Sequence, residues 1–274
     1  MSDLRVAAVQ LCSSADVARN LKTIGELVLR AAADGAQLVV LPECSTFLGH
    51  ADGDKFAIAE ELGGDGPAMS ELRALAQRHA VHLVTGGIPE RIAGDAAHTF
   101  NASTVIGPQG DLIATYRKWH LFDIDMPGGA TLQESATTRA GTEVVCVEVA
   151  GVRVGVTICY DLRFPELYRA LTLDHGAQVL LVTAAFTAHT GQAHWHTLLR
   201  ARAIENQCYV IAAAQWGQHN PKRVSYGHSL IVSPWGDVLG EKAAGDGLVT
   251  ATLSAAAQAR VRAQLPCLQH VHTR

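Results

Sequence analysis

The sequence is poor in aromatic residues, in charge of either sign and in paired cysteines. Aromatics make up 5% and charged residues 18% of its 274 positions. The six cysteines stand at 12, 44, 146, 159, 208 and 267, with no CxxC pair among them. That spacing excludes a disulfide framework and predicts free thiols in a reducing, cytoplasmic setting. Lys and Arg number 22 against 26 Asp and Glu, giving a formal charge of −4. There is no basic field to hold nucleic acid or an anionic membrane. The longest apolar run, about residues 179–188, is too short to span a bilayer. The opening residues, MSDLRVAAVQ, read into a strand rather than a signal peptide. No GxGxxG follows that strand, which excludes a dinucleotide-binding turn. No HExxH occurs, and His194/His196 and His270/His272 lie two residues apart, on different faces of any helix. Neither a metal nor any other cofactor is expected.

What is present is a duplication. RVAAVQL begins at Arg5 and RVGVTIC at Arg153; AQLVVLPE begins at Ala36 and AQVLLVTA at Ala177; VIGPQGDLI and IVSPWGDVL share a Pro-x-Gly-Asp turn. Both halves run in one order: strand, helix, buried strand, helix, strand, hairpin. The helices are expected near Asp16–Asp34, Pro67–His79, Phe164–His175 and His194–Asn206, with a tail helix near Leu253–Gln264. The hairpins turn at Gly107–Asp111 and Ser233–Asp237, where Pro presets φ and Gly supplies φ > 0. LVVL, VLLV and YVIAAA are almost wholly apolar, as strands buried on both faces require. Hydrophobic residues at 48% provide a sizeable core. The expected class is α/β, with two similar halves stacked sheet against sheet as helix, sheet, sheet, helix.

In open α/β sheets chemistry collects beyond the carboxyl ends of strands. The strand Gln37–Leu41 ends in Pro42-Glu43-Cys44, where partial burial is expected to raise the Glu43 pKa and suit it to general-base work. The hairpin strand Leu112–Tyr116 ends in Arg117-Lys118-Trp119-His120. The strand Val152–Ile158 ends in Cys159-Tyr160-Asp161 before Pro165, which is placed to open a helix. Helix N–H groups and a nearby cation are expected to lower the Cys159 pKa toward a resting thiolate. A base, a cation and a soft nucleophile thus stand at three strand ends. Each alone also has a bland reading: a capping glutamate, a snorkelling lysine, a small buried cysteine.

LPE at 41–43, YRKWHLFDID at 116–125 and ICYDLRFPELYR at 158–169 resemble the three signature segments of the nitrilase superfamily, the carbon–nitrogen hydrolases. The similarity runs over nearly the whole chain. It implies one carbon–nitrogen hydrolase domain over residues 1–274, folded as a four-layer αββα sandwich. It places Glu43, Lys118 and Cys159 at the family's catalytic triad positions, and Glu134, in LQES, at that of a second glutamate. The stretch from Gly191 to Gly240 is similar to amidase branches acting on small α-keto amides. The partners implied are then a small amide substrate and water, without a cofactor, in a homodimer that the tail helix and residues 265–274 reach.

The chemistry expected is attack of the Cys159 thiolate on an amide carbon. Glu43 acts as base, and Lys118 with the Tyr160 backbone N–H holds the oxyanion. A substrate carboxylate calls for a cation. Arg163, four residues past Cys159, fits one bidentately, although pairing with Asp161 or Glu166 is an equal structural alternative. Ala184, Ala185, Thr187 and His194 are expected at the pocket, with Trp195, Lys222, Arg223 and Tyr226 as further candidates.

Overall fold

The apolar runs become the central strands of two sheets. In the computed structural model, which describes residues 3–125 and 132–272, the first half runs β1 (Leu4–Gln10), α1 (Val17–Ala33), β2 (Leu38–Val40), α2 (Pro67–His79), β3 (His82–Val84), β4 (Ile88–Ile92), β5 (Asp95–Ile106) and β6 (Leu112–Arg117). A short ribbon, β7 (Asp123–Ile124) with β8 (Leu132–Gln133), leads to β9 (Cys146–Val149). The second half follows as β10 (Val152–Ile158), α3 (Pro165–Leu173), β11 (Val179–Ala184), α4 (Ala188–Asn206) and β12 (Tyr209–Ala214). After it come the hairpin β13 (Trp216–Asn220) and β14 (Arg223–Tyr226), then β15 (Ser229–Val232), β16 (Val238–Lys242), β17 (Gly247–Leu253) and α5 (Ala255–Gln264).

Each half is built on three parallel strands. β1, β2 and β3 pair in one sheet, and β10, β11 and β12 in the other. The sheet orders are β17-β1-β2-β3-β5-β4, with β6 on β5, and β16-β15-β12-β11-β10-β9.

Strand side chains alternate between faces, and the burial follows that period. Val6, Ala8, Leu38 and Val40 meet Val154, Val156, Leu181 and Ile211 in a core between the sheets. Their neighbours Ala7, Val9, Val39 and Leu41 face Ile24, Val28, Leu72 and Leu75 of α1 and α2. On the far side Leu180, Val182, Val210 and Ala212 face Leu167, Leu171, Trp195 and Leu199 of α3 and α4. These three apolar interfaces make four layers, αββα. Truncating such a leucine to alanine costs about 2–5 kcal/mol.

The hairpin turns repeat bond for bond. Gly107 N–H donates to Asp111 O at 2.8 Å and Gly110 N–H to Gly107 O at 2.9 Å; Ser233 to Asp237 and Gly236 to Ser233 give the same two distances. Gly110 and Gly236 take φ of 78° and 93°.

Some boundaries differ from expectation. β2 is trimmed to Leu38–Val40, and α5 starts at Ala255 because Ser254 caps it while Leu253 stays in β17. α4 starts at Ala188 rather than near His194. Its Gly191 is no helix breaker: a Cβ there would lie 2.4 Å from Tyr226, so the residue is small because β14 packs against it. The last strand also leaves its own half, since β17 pairs antiparallel with β1 over all seven residues.

Candidate active site

Glu43, Lys118, Glu134 and Cys159, widely separated in sequence, converge where β2, β6 and β10 end. The turn after β2 is forced by its neighbours. A Cβ on Gly86 (φ 69°) would stand 1.9 Å from Pro42 O, and one on Gly87 would stand 2.2 Å from Asn101 Oδ1 and 2.9 Å from Glu43 Cγ. Glycine at both positions lets β3 leave the sheet beside the Glu43 side chain. Cys44, next in the chain, sits at φ 57° with its N–H bonded to Gly87 O at 2.6 Å.

Glu43 is 4% exposed and Lys118 2%. Lys118 Nζ donates to Glu43 Oε1 at 3.0 Å and to Glu134 Oε2 and Oε1 at 2.9 and 3.2 Å. Asn101 Nδ2 bridges the same two carboxylates at 2.9 and 3.2 Å. Ala185 N–H, just past β11, donates to Glu43 Oε2 at 2.8 Å, and Phe122 N–H to Glu134 Oε2 at 2.7 Å. Buried charges persist when paired and hydrogen-bonded in this way.

Two titration expectations are overturned by this packing. Burial alone would raise Glu43, but the Lys118 ammonium, the Ala185 N–H and the Cys159 thiol together hold it below its ordinary 4.5. Burial and the Glu43 charge push the Cys159 thiol well above its ordinary value, against the weaker pull of Lys118. Both directions favour a carboxylate beside a protonated thiol over a preformed thiolate. Burial works to lower Lys118, yet Glu134 and Glu43 hold its pKa well above 10.5. Burial beside Glu43 lifts the Cys44 thiol to about 12, which leaves it inert.

Cys159 takes φ 50°, a left-handed conformation that side chains seldom adopt. A 3-10 turn over Cys159–Arg163 separates it from α3. Asp161, fully buried, fixes the turn. Its Oδ2 accepts from Tyr116 OH at 2.7 Å and Ile158 N–H at 2.9 Å, and its Oδ1 from His120 N–H at 3.0 Å with His120 Nδ1 at 2.8 Å. His120 in turn stacks on Phe164, ring centroids 3.7 Å apart. Strain at a functional residue persists only where surroundings over-determine it, and this network does so.

Asp161 is thus fully engaged, and Arg163 pairs with neither it nor Glu166. The guanidinium lies 5.1 and 5.9 Å from the Phe186 and Tyr160 ring centroids, with Nη1 3.2 Å from His194 Nδ1. Thr187 caps α4 in extended geometry, its Oγ1 2.7 Å from Thr190 Oγ1. Trp195 is no pocket residue: it is core, its indole N–H donating to His228 O at 2.8 Å. Tyr226 packs on Gly191 and stacks on His228. Away from this site, His196 Nε2 and His228 Nδ1 both aim at Glu241 Oε1, at 2.9 and 2.5 Å. That is the one group of three potential metal-ligating side chains drawn together among the described residues.

Sequence reasoning missed Asn101 and the Tyr116–Asp161–His120 network. A signal existed for Asn101, a lone amide where β5 turns apolar, but it does not say which face the amide takes. The assembled site holds a nucleophile, an anionic base in contact with it, and an ammonium fixed between two carboxylates.

The family model described as Carbon-nitrogen hydrolase matches residues 5–263. The chain belongs to this family. It is 43% identical to a protein named deaminated glutathione amidase from Synechocystis sp., over 98% of both chains, and 41% identical to the Homo sapiens protein of that name, over 97% of this chain and 81% of the other. In structure it is similar to the Caenorhabditis elegans NitFhit protein, with a TM-score of 0.93 at 40% identity, matching 99% of this chain and 66% of that one. As a carbon–nitrogen hydrolase it brings an acid, an amine and a thiol together where β2, β6 and β10 end.

Proposed function

We propose that this carbon–nitrogen hydrolase is an amidase that cleaves a small α-keto amide, deaminated glutathione, through a thioester on Cys159. The observation that carries the reading is the convergence of the Cys159 strand end with the buried Glu43 carboxylate and the Lys118 ammonium, whose Nζ is fixed between Glu43 and Glu134. The full-length similarity to proteins named for that substrate supports it.

The steps follow from the charges. Glu43 accepts the Cys159 proton as sulfur attacks the amide carbon. Charge developing on the carbonyl oxygen is offset by Lys118 and by the Tyr160 N–H. That amide lies at the start of the 3-10 turn, where N–H groups lack a carbonyl partner within the helix. Glu43 returns its proton to the leaving nitrogen, the C–N bond breaks, and the thioester remains. Glu43 then draws a proton from water, which attacks the thioester; the acid leaves and Cys159 regains its proton. Glu134 acts through Lys118, holding its Nζ between two carboxylates. Arg163, free of any carboxylate partner among the described residues and steadied by His194, takes the carboxylate of the acyl half, with Thr187 at the pocket wall. The whole chain works as one domain.

The test is a side-by-side kcat/KM on deaminated glutathione and on α-ketoglutaramate or succinamate. A preference for the simple amides reassigns the enzyme as an ω-amidase. Mass spectrometry with a slow substrate is expected to show an acyl adduct on Cys159, and its absence removes the thioester.

The reading extends to a cytoplasmic homodimer. The cysteines are all free, and no described helix is long and apolar enough to cross a membrane. Ile204, 46% exposed, touches Gly236 beside Trp235, 59% exposed, and these form an apolar surface suited to a second copy. Light scattering that returns the 29.1 kDa monomer mass at micromolar concentration would refute the dimer.

A further inference from the structure

Two cations near the site have no role in the mechanism above. Arg223 opens β14, and Lys55 lies in the 3-10 segment Asp52–Ile58. The β13–β14 hairpin is wedged against both segments that flank Glu43. Asn220 Nδ2, paired across from Arg223, donates to Gly49 O at 3.0 Å, and Ser225 bridges to Thr187, two residues past the Ala185 N–H that holds Glu43. Lys55 comes from the other side. Its Nζ donates to Thr138 Oγ1 at 2.5 Å, and Thr138 N–H donates to Glu134 O at 2.9 Å.

Neither cation has a carboxylate within hydrogen-bond distance among the described residues, and the Arg223 guanidinium makes no hydrogen bond or ion pair there. Both lie within the fields of Glu134 and the exposed Asp52, Arg223 also within that of Glu43, and the two cations repel each other. Arg223 is exposed and Lys55 half-buried, so both can meet an incoming carboxylate beside the Glu43–Glu134 pair.

The mechanism fixes which part of the substrate arrives there. The leaving nitrogen takes its proton from Glu43, so the leaving half departs past Glu43, and the segment that follows Glu43 carries Lys55 and meets the Arg223 hairpin at Gly49. Arg163 stands on the Cys159 turn, on the acyl side. We propose that Lys55 and Arg223 form a second carboxylate site, which binds the terminal carboxylate of an amino-acid or peptide leaving group. The inference rests on the amidase reading and deepens it. Deaminated glutathione has a carboxylate at each end, one on the keto-acid half and one on the departing cysteinylglycine. An ω-amide that releases ammonia has nothing to place on this second site.

The experiment compares two substrates with one acyl half: α-ketoglutaramate, which releases ammonia, and deaminated glutathione, which releases the dipeptide. In Arg223→Gln the ratio of kcat/KM, dipeptide over ammonia substrate, is expected to fall about 10- to 100-fold, mainly through KM, as loss of a charge-assisted contact implies. Arg223→Lys is expected to recover part of it, and Lys55→Met to lower the ratio about tenfold. Deaminated glutathione amidated at its terminal carboxyl should show the loss in the wild-type enzyme and no further loss in Arg223→Gln. A ratio unchanged in both variants, or both substrates falling together, overturns the second carboxylate site and leaves the amidase reading intact. A wild-type enzyme inactive on both substrates overturns the amidase reading, and this site with it.

Discussion

The two halves share a strand order and a turn device but bring opposite things to the cleft. In both, the strand end is followed by a non-glycine residue at positive φ: Cys44 at 57° after Glu43, and Cys159 itself at 50°. The first half delivers fixed charge, with Glu43, Asn101 and Lys118 joined by Glu134 from the connection between halves. Two carboxylates against one ammonium leave that set one negative charge in excess. The second half delivers a neutral thiol and backbone N–H groups, at Tyr160 and Ala185. Burial and the Glu43 charge push the thiol toward its protonated form, and the thiol would be idle without the carboxylate across the sheet interface. A duplicated scaffold therefore gives one site, not two, because the halves diverged in what their strand ends hold.

Breaking the second half's contribution should have the largest effect. Cys159→Ala is expected to lower amide turnover by about five to six powers of ten, the scale seen when a covalent nucleophile is lost, with thermal unfolding unaltered. Measurable multiple turnover in that variant would refute the thioester route.

Breaking the first half comes next and also reaches stability. Lys118→Met should cost about two to three powers of ten in kcat and strand two adjacent buried carboxylates, worth about 3–5 kcal/mol of stability. The pH dependence of unfolding should then change sign. In the wild-type protein Glu43 is depressed below 4.5, so its contribution is present above that value and lost as pH falls through the folded pKa. Without Lys118 the burial of Glu43 is left to raise it above its unfolded value, so the variant should regain stability as pH falls toward 5. Denaturant melts at pH 5 and 8 measure this, and parallel shifts in both proteins would contradict it.

Asp161→Asn loosens the turn beneath Cys159 while leaving every charge of the first half in place. A loss of about 10- to 100-fold in kcat is expected from weakened charge-assisted bonds, and a fully active variant would show that the turn holds itself.

The smallest effect needs no substitution. Glu43 is lowered while Cys159 and Lys118 are raised, so kcat/KM should stay level across neutral pH and fall only in the acid range. A rise toward pH 9 would reveal a titrating thiol and restore the preformed thiolate.

The sequence made the layers and the strand-end positions of Glu43, Lys118 and Cys159 legible for one reason: both rest on local patterns. Period-2 burial in LVVL and VLLV, and the position of Glu43, Lys118 and Cys159 at strand ends, can be read along a single segment. The protonation states could not be, because they depend on groups far away in the chain. Glu43 looks like a half-buried acid until Lys118, 75 residues on, is set against it. Asp161 looks like an ion-pair partner for Arg163 until Tyr116 and His120 occupy both its oxygens. α4 starts at Ala188, before the expected His194, and the glycine within its first turn is explained only by the Tyr226 side chain lying over it.

The exchange of β17 has a consequence for how the chain must assemble. Gly247–Leu253 closes the edge of the sheet that carries Glu43, so the sheet of the first half is complete only after the second half has been made. Until then β1 presents one unpaired edge along seven residues of an apolar strand, an open seam for a neighbouring chain.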